Sequence, residues 1–303
     1  MIFSNLPAVN TTKILSILSC YISLSLPTVS QASEPPTYIA LSWTVAETLV
    51  ALDAPLKGML SPGSYEKWGS IRSLPESVFD IGLSQPNLEI ITQLDPDVIM
   101  SETYLSTIDE RLSKNYNTQL FSTYDSDQNT WSELLEFTRN VSISIAQPEM
   151  AEDYINTIEA EMENLKVIAK SWSEPLLIIR ALDDRHIRVY GENSLPQAVL
   201  DRLGLPNAWD RPTTRWGFTV VGVEELIGIE ARLVIVEGPA GVSNDITDRL
   251  SNYGLWQHVH SVKEDSVITV PPFWIFGALP SAYQFANNLV DALLQEQPTT
   301  QRP

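Results

Sequence analysis

One long amphipathic helix constrains the fold of this chain more than any other stretch of its sequence. Between residues 155 and 168, apolar side chains recur every three or four positions and so share one side of a helix. They are Ile155, Ile158, Met162, Leu165 and Ile168. A helix over residues 148–171 would span about 36 Å at roughly 1.5 Å per residue, which is about one domain diameter. We therefore predict a linker helix at residues 146–172 that joins two lobes. The alternative is an ordinary helix packed within one domain.

Short apolar strands alternate with helices on both sides of this linker helix. Strands are predicted at 38–42, 56–60 and 97–100 before it, and at 176–180, 188–191, 233–237 and 267–270 after it. The alternation predicts an α/β fold with mainly parallel sheets flanked by helices. The predicted parts are an N-terminal lobe at 33–145, a C-terminal lobe at 173–297 and a tail at 298–303. A ligand would lie in a shallow cleft between the lobes.

Local motifs predict how some of these elements begin and end. Thr44, with Glu47 three residues later, is typical of a capping box at the start of a helix. Residues 61–70 are rich in glycine, serine and proline, which predicts a loop. Glu224 and Glu225 are predicted to start a helix.

The first 32 residues have the organisation of a secretory signal peptide. Lys13 is the only charged residue before Glu34, and an apolar run follows it. Ser30-Gln31-Ala32 then supplies small residues at a cleavage site, so we expect a signal peptide at 1–32. Cys20 is the only cysteine, and Leu18, two positions before it, fits a lipoprotein cleavage box poorly. We therefore expect export of the cleaved chain without a lipid anchor.

The charge balance limits the partners of the chain. Acidic residues outnumber basic residues by 38 to 19, a net charge of −19. Cleavage after residue 32 would remove Lys13 and leave 18 basic against 38 acidic residues, a net charge of −20. Such a surface repels nucleic acid phosphates and anionic lipid. We therefore expect no nucleic acid partner.

Catalytic motifs are absent from the sequence. It contains no G-x-S-x-G elbow, no Walker A loop, no G-x-G-x-x-G turn and no H-E-x-x-H. His258 and His260 are spaced to share one face of a strand, but no third ligand is signalled, so we predict no metal site there. Asp183-Asp184 predicts a turn between two strands. We therefore predict a protein that is not an enzyme and holds no metal or cofactor of its own.

Large aromatic residues are concentrated in predicted loops of both halves. They are Trp43, Trp68, Tyr104, Trp216 and Trp274. Each such side chain can bury about 150–250 Å², an upper bound of roughly 4–6 kcal/mol at about 25 cal/mol per Å². Nanomolar binding needs about 12 kcal/mol, so a few of these rings could hold a bulky ligand. Tyr104 also follows a predicted strand, where ligands gather in open α/β sheets.

Several segments form a pattern that runs in order through nearly the whole chain after residue 32. They are 75–83 with 86–89, 184–186 with 189–194, Gly204-Leu-Pro-Asn-Ala-Trp209, Trp216-Gly217, and Val270-Pro-Pro-Phe-Trp274 with Gly277-Ala278. Together they resemble the ferric-hydroxamate-binding members of the periplasmic siderophore-binding proteins. The resemblance implies a monomeric periplasmic protein that delivers an iron(III) siderophore to an inner-membrane ABC permease. The iron would enter inside the ligand.

The same resemblance implies which residues bind the ligand. Tyr104 matches a tyrosine that hydrogen-bonds the hydroxamate oxygens, and Trp68, Trp216 and Trp274 match tryptophans that line the pocket. Trp43 lies nearby in the sequence pattern, and Phe276 is a further candidate for the pocket wall.

The chain departs from the family pattern at Ser84, where an arginine normally donates to the chelate. A hydroxyl cannot replace a guanidinium fork. Arg215 or Arg180 is a candidate replacement. The loss suggests a changed preference among hydroxamates, toward a neutral or cationic chelate.

Family members also dock on the permease through one acidic residue in each lobe. The candidates by position are Asp109 or Glu110 in the N-terminal lobe and Glu224 or Glu225 in the C-terminal lobe. Other ligands of the same fold stay open as alternatives: a citrate-type siderophore, haem or cobalamin. A secreted hydrolase that uses Tyr104 and a surface adhesin are the rivals from other classes.

Overall fold

A computed structural model describes residues 35–68, 73–124, 129–239 and 248–296 of the chain. The predicted signal peptide at 1–32, with Cys20, and the predicted tail at 298–303 lie outside these residues.

The N-terminal lobe is built on a five-stranded sheet in which every strand is parallel to its neighbours. Its strands are β1 (Tyr38–Ala40), β2 (Leu56–Met59), β3 (Phe79–Asp80), β4 (Val98–Glu102) and β5 (Thr118–Phe121), in the order β3-β2-β1-β4-β5. Its helices are α1 (Trp43–Ala51), α2 (Pro62–Lys67), α3 (Leu88–Leu94), α4 (Ser106–Leu112) and α5 (Thr130–Ser144). Separate apolar clusters cover the two faces of the sheet, one around Leu49 and Phe137 and the other around Ile39 and Ile91. This placement is typical of a doubly covered parallel sheet.

The predicted linker helix is present as α6, Pro148–Ala169, which joins the two lobes. Its 22 residues span about 33 Å. Its buried side chains include Ile155, Ile158, Met162 and Leu165, which lie on one face as the spacing predicts. Glu159 anchors a second face of the helix. Its carboxylate accepts a hydrogen bond of 2.6 Å from the indole N–H of Trp131 on α5, in the N-terminal lobe. It accepts another from the guanidinium of Arg202, in the C-terminal lobe.

The C-terminal lobe contains a second five-stranded sheet, and this one is mixed. Its strands are β6 (Leu176–Ala181), β7 (His186–Tyr190), β8 (Phe218–Gly222), β9 (Arg232–Val236) and β10 (Ile268–Val270), in the order β10-β9-β6-β7-β8. Strands β10, β9 and β6 are parallel, whereas β6, β7 and β8 pair antiparallel. Its helices are α7 (Leu195–Leu203), α8 (His260–Lys263) and α9 (Leu279–Glu296), and residues 248–251 are also helical. Strand β8, like β3 and β5 of the first sheet, was not among the predicted strands.

Four local predictions are wrong. Residues 61–70 are not wholly a loop, because Pro62 begins the short helix α2, which buries Tyr65. Ser42, not Thr44, caps α1, since its hydroxyl accepts a hydrogen bond from the N–H of Val45 at 3.1 Å.

The other two errors concern the second lobe. Glu224 and Glu225 lie in a single 3-10 turn, Val223–Leu226, instead of starting an α-helix. His258 lies in another 3-10 turn and His260 starts α8, so the two histidines do not share a strand face. The predicted turn at Asp183 is confirmed: its Oδ1 accepts hydrogen bonds from the N–H groups of Arg185 and His186.

The two lobes are also held together by a buried carboxyl group, that of Glu47 on α1. The N–H of Ala278 donates to its Oε1, and the hydroxyl of Ser281 donates to its Oε2 at 2.6 Å. Tyr65 donates to the same Oε2 at 3.3 Å. Gly277 lies so close that a Cβ atom there would collide with Ser281 and with Oε1 of Glu47. The start of α9 is therefore fastened to the first helix of the N-terminal lobe.

Candidate ligand-binding cleft

A cavity of about 380 Å³ opens between the two lobes. It is lined by Thr44, Glu102, Tyr104, Tyr124, Arg188, Trp216, Phe218, Trp274 and Phe276. The first four belong to the N-terminal lobe and the other five follow α6 in the chain. The cavity therefore lies where the sequence predicts an inter-lobe cleft.

The N-terminal wall of the cleft consists of residues that follow parallel strands. Glu102 is the last residue of β4, and Tyr104 comes two residues later in a 3-10 turn. Tyr124 lies three residues beyond β5, and its hydroxyl donates to the carbonyl of Gly277 at 2.6 Å. Because parallel strands end at one edge of their sheet, these side chains converge on the cleft.

The C-terminal wall of the cleft is a connected set of aromatic rings. The ring of Phe276 contacts Trp216, Phe218 and Trp274, with centroids 5.7, 6.1 and 5.5 Å apart. Tyr104 reaches across from the other lobe and meets Trp216 edge-on at 6.2 Å. Edge-to-face packing of this kind fixes ring orientation and leaves ring faces available to a ligand.

The predicted residues Trp43 and Trp68 stand behind this wall. Both pack edge-on against Trp274, at 4.6 and 6.0 Å between ring centroids, and neither lines the cavity itself. The indole N–H of Trp43 donates to the carbonyl of Leu60 at 2.8 Å, which holds that ring in place. These two tryptophans therefore support Trp274.

Two charged residues face the cavity from opposite walls. Glu102 is buried, with 4% of its surface exposed, and the hydroxyl of Thr123 donates to its Oε1 at 2.5 Å. Burial raises the pKa of Glu102. Arg188 lies over the ring of Phe218, with its guanidinium carbon 4.1 Å from the centroid.

Tyr104 is the most accessible polar group of the cleft. Its side chain is 52% exposed, and burial of its phenol end, followed by the nearby Glu102, raises its pKa above the ordinary value. The phenol therefore stays protonated near neutral pH and can donate a hydrogen bond to a ligand oxygen.

The arginine and serine positions that the sequence singles out do not line the cavity. Arg215 lies over the ring of Trp216, with its guanidinium carbon 4.7 Å from the centroid. Ser84 is exposed. Arg180 lies 4.2 Å over the ring of Trp68.

Sequence reasoning missed Arg188 and Phe218, because both lie within antiparallel strands where no loop residue is expected. A signal was available for Arg188: Ile187 and Val189 on either side are buried, so alternation places Arg188 on the opposite face. Glu102 was hidden by its position at the end of an apolar strand.

The four candidates for permease docking differ in accessibility. Asp109 is buried, at 9% exposed, and its Oδ1 makes no hydrogen bond within the described residues. Glu110 and Glu224 are exposed, while Glu225 pairs with Arg211 at 2.5 Å. A docking carboxylate must reach solvent, so Glu110 is the better placed of the two candidates in its lobe.

Comparison with known proteins supplies the family. The family model described as periplasmic binding protein matches residues 39–272, well over half of the chain. The chain belongs to the periplasmic binding protein family. This membership confirms the prediction that the protein is a binding protein and not an enzyme. Within the described residues no helix is long and apolar enough to cross a membrane.

Similar periplasmic binding proteins include binders of different siderophores. The iron(3+)-hydroxamate-binding protein FhuD of Escherichia coli K12 is 29% identical over 299 residues, 96% of this chain and 98% of that protein. The structure of siderophore-binding protein FhuD from Vibrio cholerae with Fe3+-Desferal matches with a TM-score of 0.80 at 23% identity, over 87% of this chain and 100% of that one. The triscatecholate siderophore-binding protein FeuA from Bacillus subtilis, with ferri-bacillibactin, matches with a TM-score of 0.65 at 20% identity, over 86% and 92%. These structures confirm the two-lobed fold. Because they bind different siderophores, the ligand of this chain has to be inferred from the residues of its cleft.

Proposed function

We propose that this periplasmic binding protein captures ferric hydroxamate siderophores in the periplasm and delivers them to an inner-membrane ABC permease. The observation that carries the proposal is the convergence of Tyr104, Trp216, Trp274 and Phe276 on one inter-lobe cavity of about 380 Å³. Similarity to a hydroxamate-binding protein along nearly the whole chain supports the same ligand class.

The chemistry of the cleft suits a ferric hydroxamate. Such a chelate encloses its iron in oxygen atoms and presents hydrocarbon around them, so aromatic rings can cover the hydrocarbon without charge pairing. Tyr104 would donate its hydroxyl hydrogen to a chelate oxygen, and its raised pKa keeps it a donor. Because the siderophore supplies all the iron ligands, the protein needs no resident metal or cofactor.

Binding would proceed with little movement of the lobes. The long helix α6 and the hydrogen bonds that join Glu47 to Ala278 and Ser281 hold the lobes at a fixed separation. A preformed cleft avoids the free energy cost of ordering its walls when the ligand binds.

The remaining parts of the proposal concern transport. A signal peptide at 1–32 would direct export, and the mature protein would act as a monomer. Glu110 on the N-terminal lobe, with Glu224 or Glu225 on the other, would contact basic pockets of the permease. The exposure of Glu110 and Glu224 supports these roles.

Tryptophan fluorescence tests the ligand class. Ferric complexes quench nearby indoles, so ferrichrome and ferric Desferal should reduce the emission at sub-micromolar concentration. Trp274→Phe should lose much of this quenching. The matched control is Trp172→Phe, whose indole N–H bonds the carbonyl of Glu174 away from the cleft and which should leave the quenching unchanged.

Absence of quenching by every ferric hydroxamate would contradict the proposed function. If only a ferric catecholate, haem or cobalamin quenches the fluorescence, the proposed ligand class is wrong, but the proposed role in transport still stands.

A further inference from the structure

Two arginines lie side by side on the C-terminal wall of the cleft. Arg180 on β6 is paired directly with Arg188 on the antiparallel strand β7. Residues opposed in this way point to the same face of the sheet, with Cβ atoms about 4.5–5.5 Å apart. Like charges at such positions destabilise the sheet, so this pair needs a compensating partner.

Among the described residues no carboxylate supplies that partner, and the polar side chain that interacts with both arginines is the buried phenol of Tyr190. Within the described residues neither arginine forms an ion pair, whereas Arg202, Arg211 and Arg232 each contact a glutamate. The Nε atoms of Arg180 and Arg188 are both buried without a hydrogen bond. Burial, with the charge of Arg188, lowers the pKa of Arg180. Two partly buried cations with unused donors are typical of a site that an anion completes.

The Arg188 guanidinium lines the cavity, and that of Arg180 lies beside it between the lobes. Arg188 lines the cavity, 4.1 Å over Phe218. Arg180 lies 4.2 Å over Trp68, a residue of the opposite lobe, so it also faces the inter-lobe side. Glu102 is the only acidic residue that lines the cavity, and no ion pair joins it to Arg188 within the described residues.

We propose that Arg180 and Arg188 form an anion subsite, and that the natural ligand is an anionic ferric chelate that combines hydroxamates with a carboxylate. The proposal rests on the proposed function, which it narrows. Three hydroxamate monoanions neutralise Fe³⁺, whereas an α-hydroxycarboxylate dianion in place of one hydroxamate gives a chelate of net charge −1. A guanidinium donates two parallel hydrogen bonds to a carboxylate, and it does so more strongly in a cleft that excludes water.

The opposite wall limits how much negative charge the site accepts. A buried carboxyl group at Glu102 and an acidic protein surface both repel a highly charged anion such as a ferric tricatecholate. A chelate with one negative charge fits two arginines facing one carboxyl group.

The test compares two chelates on the intact mature protein by fluorescence titration. One is ferrichrome, a neutral tris-hydroxamate, and the other is a ferric citrate dihydroxamate, which is anionic. The wild-type protein should bind the anionic chelate about tenfold more tightly, as expected for charge-assisted hydrogen bonds. Arg188→Gln and Arg180→Gln should each weaken the anionic chelate about tenfold and ferrichrome by less than about twofold.

The matched control is Arg185→Gln, on the exposed turn between the same two strands, which removes the same charge away from the cleft. It should change neither affinity. Arg188→Lys keeps the charge without the fork and should recover only part of the preference.

Equal affinity of the wild-type protein for both chelates would overturn the anion subsite and leave the proposed function intact. Equal losses for both chelates in Arg188→Gln would also overturn it. If neither chelate binds the wild-type protein, the proposed function itself is wrong. The affinities of the wild-type protein for the two chelates test the anion subsite without any variant. The test therefore still works if a glutamine variant fails to fold.

Discussion

The two walls of the cleft are made in different ways. The N-terminal wall consists of residues that follow the carboxyl ends of parallel strands, such as Tyr104 after β4. Much of the C-terminal wall is the face of an antiparallel pair, where Arg188 and Phe218 project from within β7 and β8. A wall of strand ends places its functional groups on turns, whereas a wall made of a strand face holds them in a regular ladder.

This difference assigns distinct roles to the two lobes. Tyr104 stands on a short turn and is half exposed, so it can adjust to a chelate oxygen. Arg188 is fixed by cross-strand pairs on both sides, and its charge is presented at one position. The adaptable contact and the rigid charged contact therefore come from opposite lobes.

The largest expected effect concerns the carboxyl group of Glu47, which joins the two lobes and so holds the two walls of the cleft facing each other. Glu47→Ala would leave the N–H of Ala278 buried without an acceptor and would open a cavity beside Ser281. We expect the free energy of unfolding to fall by about 3–4 kcal/mol, measured by urea denaturation. Glu66→Ala, on an exposed position of α2, is the control and should change it little. A loss no greater than the control would show that the walls are held by α6 alone.

The same group predicts a pH dependence of stability. Burial raises the pKa of Glu47 from 4.5 in the unfolded chain to about 7 in the folded protein. The folded state therefore holds this proton more tightly, and its stabilisation is complete below pH 4.5 and lost as the pH rises through 7. The change is about 3 kcal/mol. Urea denaturation at pH 5 and pH 8 measures the difference in the free energy of unfolding between the two pH values. Glu47→Gln should remove the contribution of Glu47 from this difference. If the difference is the same in the variant and the wild-type protein, Glu47 is not the group responsible.

Two tryptophans test whether both parts of the C-terminal wall contribute to binding, the loop after β10 and the residues beside the antiparallel pair. Trp274 follows the parallel strand β10, whereas Trp216 precedes the antiparallel strand β8. Each alanine variant should weaken the ferric hydroxamate by about 2 kcal/mol or more, roughly 30-fold, because central aromatic residues dominate such interfaces. Isothermal titration calorimetry measures the loss. A loss confined to one variant would show that only one part of the C-terminal wall binds the ligand.

The smallest expected effect is that of the single phenol on the N-terminal wall. Tyr104→Phe removes only the hydroxyl and should weaken binding by about 1–2 kcal/mol, the contribution of one hydrogen bond to a polarised oxygen. Tyr116→Phe is the matched control, since its hydroxyl bonds Thr92 outside the cleft. Equal affinities of the Tyr104 variant and the wild-type protein would remove the tyrosine from the site.

The sequence predicted the parts of the structure that repeat or obey a strong local rule. The three-to-four spacing of Ile155 to Leu165 fixes one face of α6, and the structure buries that face. Tyr104, Trp216 and Trp274 were found because large aromatic residues in predicted loops need a partner, and Phe276 was added by the family resemblance. The structure brings all four to one cavity.

The missed parts depend on pairing between distant segments. Arg188 looks like an ordinary strand residue until the antiparallel register places it opposite Arg180. Glu47 matches a capping box in sequence, yet its carboxyl group is taken up by Ala278, 231 residues away. Neither fact can be derived from spacing along the chain, because both arise from how the lobes pack.

The position of Gly277 has a consequence for the contact between the lobes. A single added carbon atom there would collide with both Ser281 on α9 and Glu47 on α1. These are the two side chains whose hydrogen bond joins the lobes. A residue without a side chain at position 277 is therefore what allows α1 and the start of α9 to approach this closely.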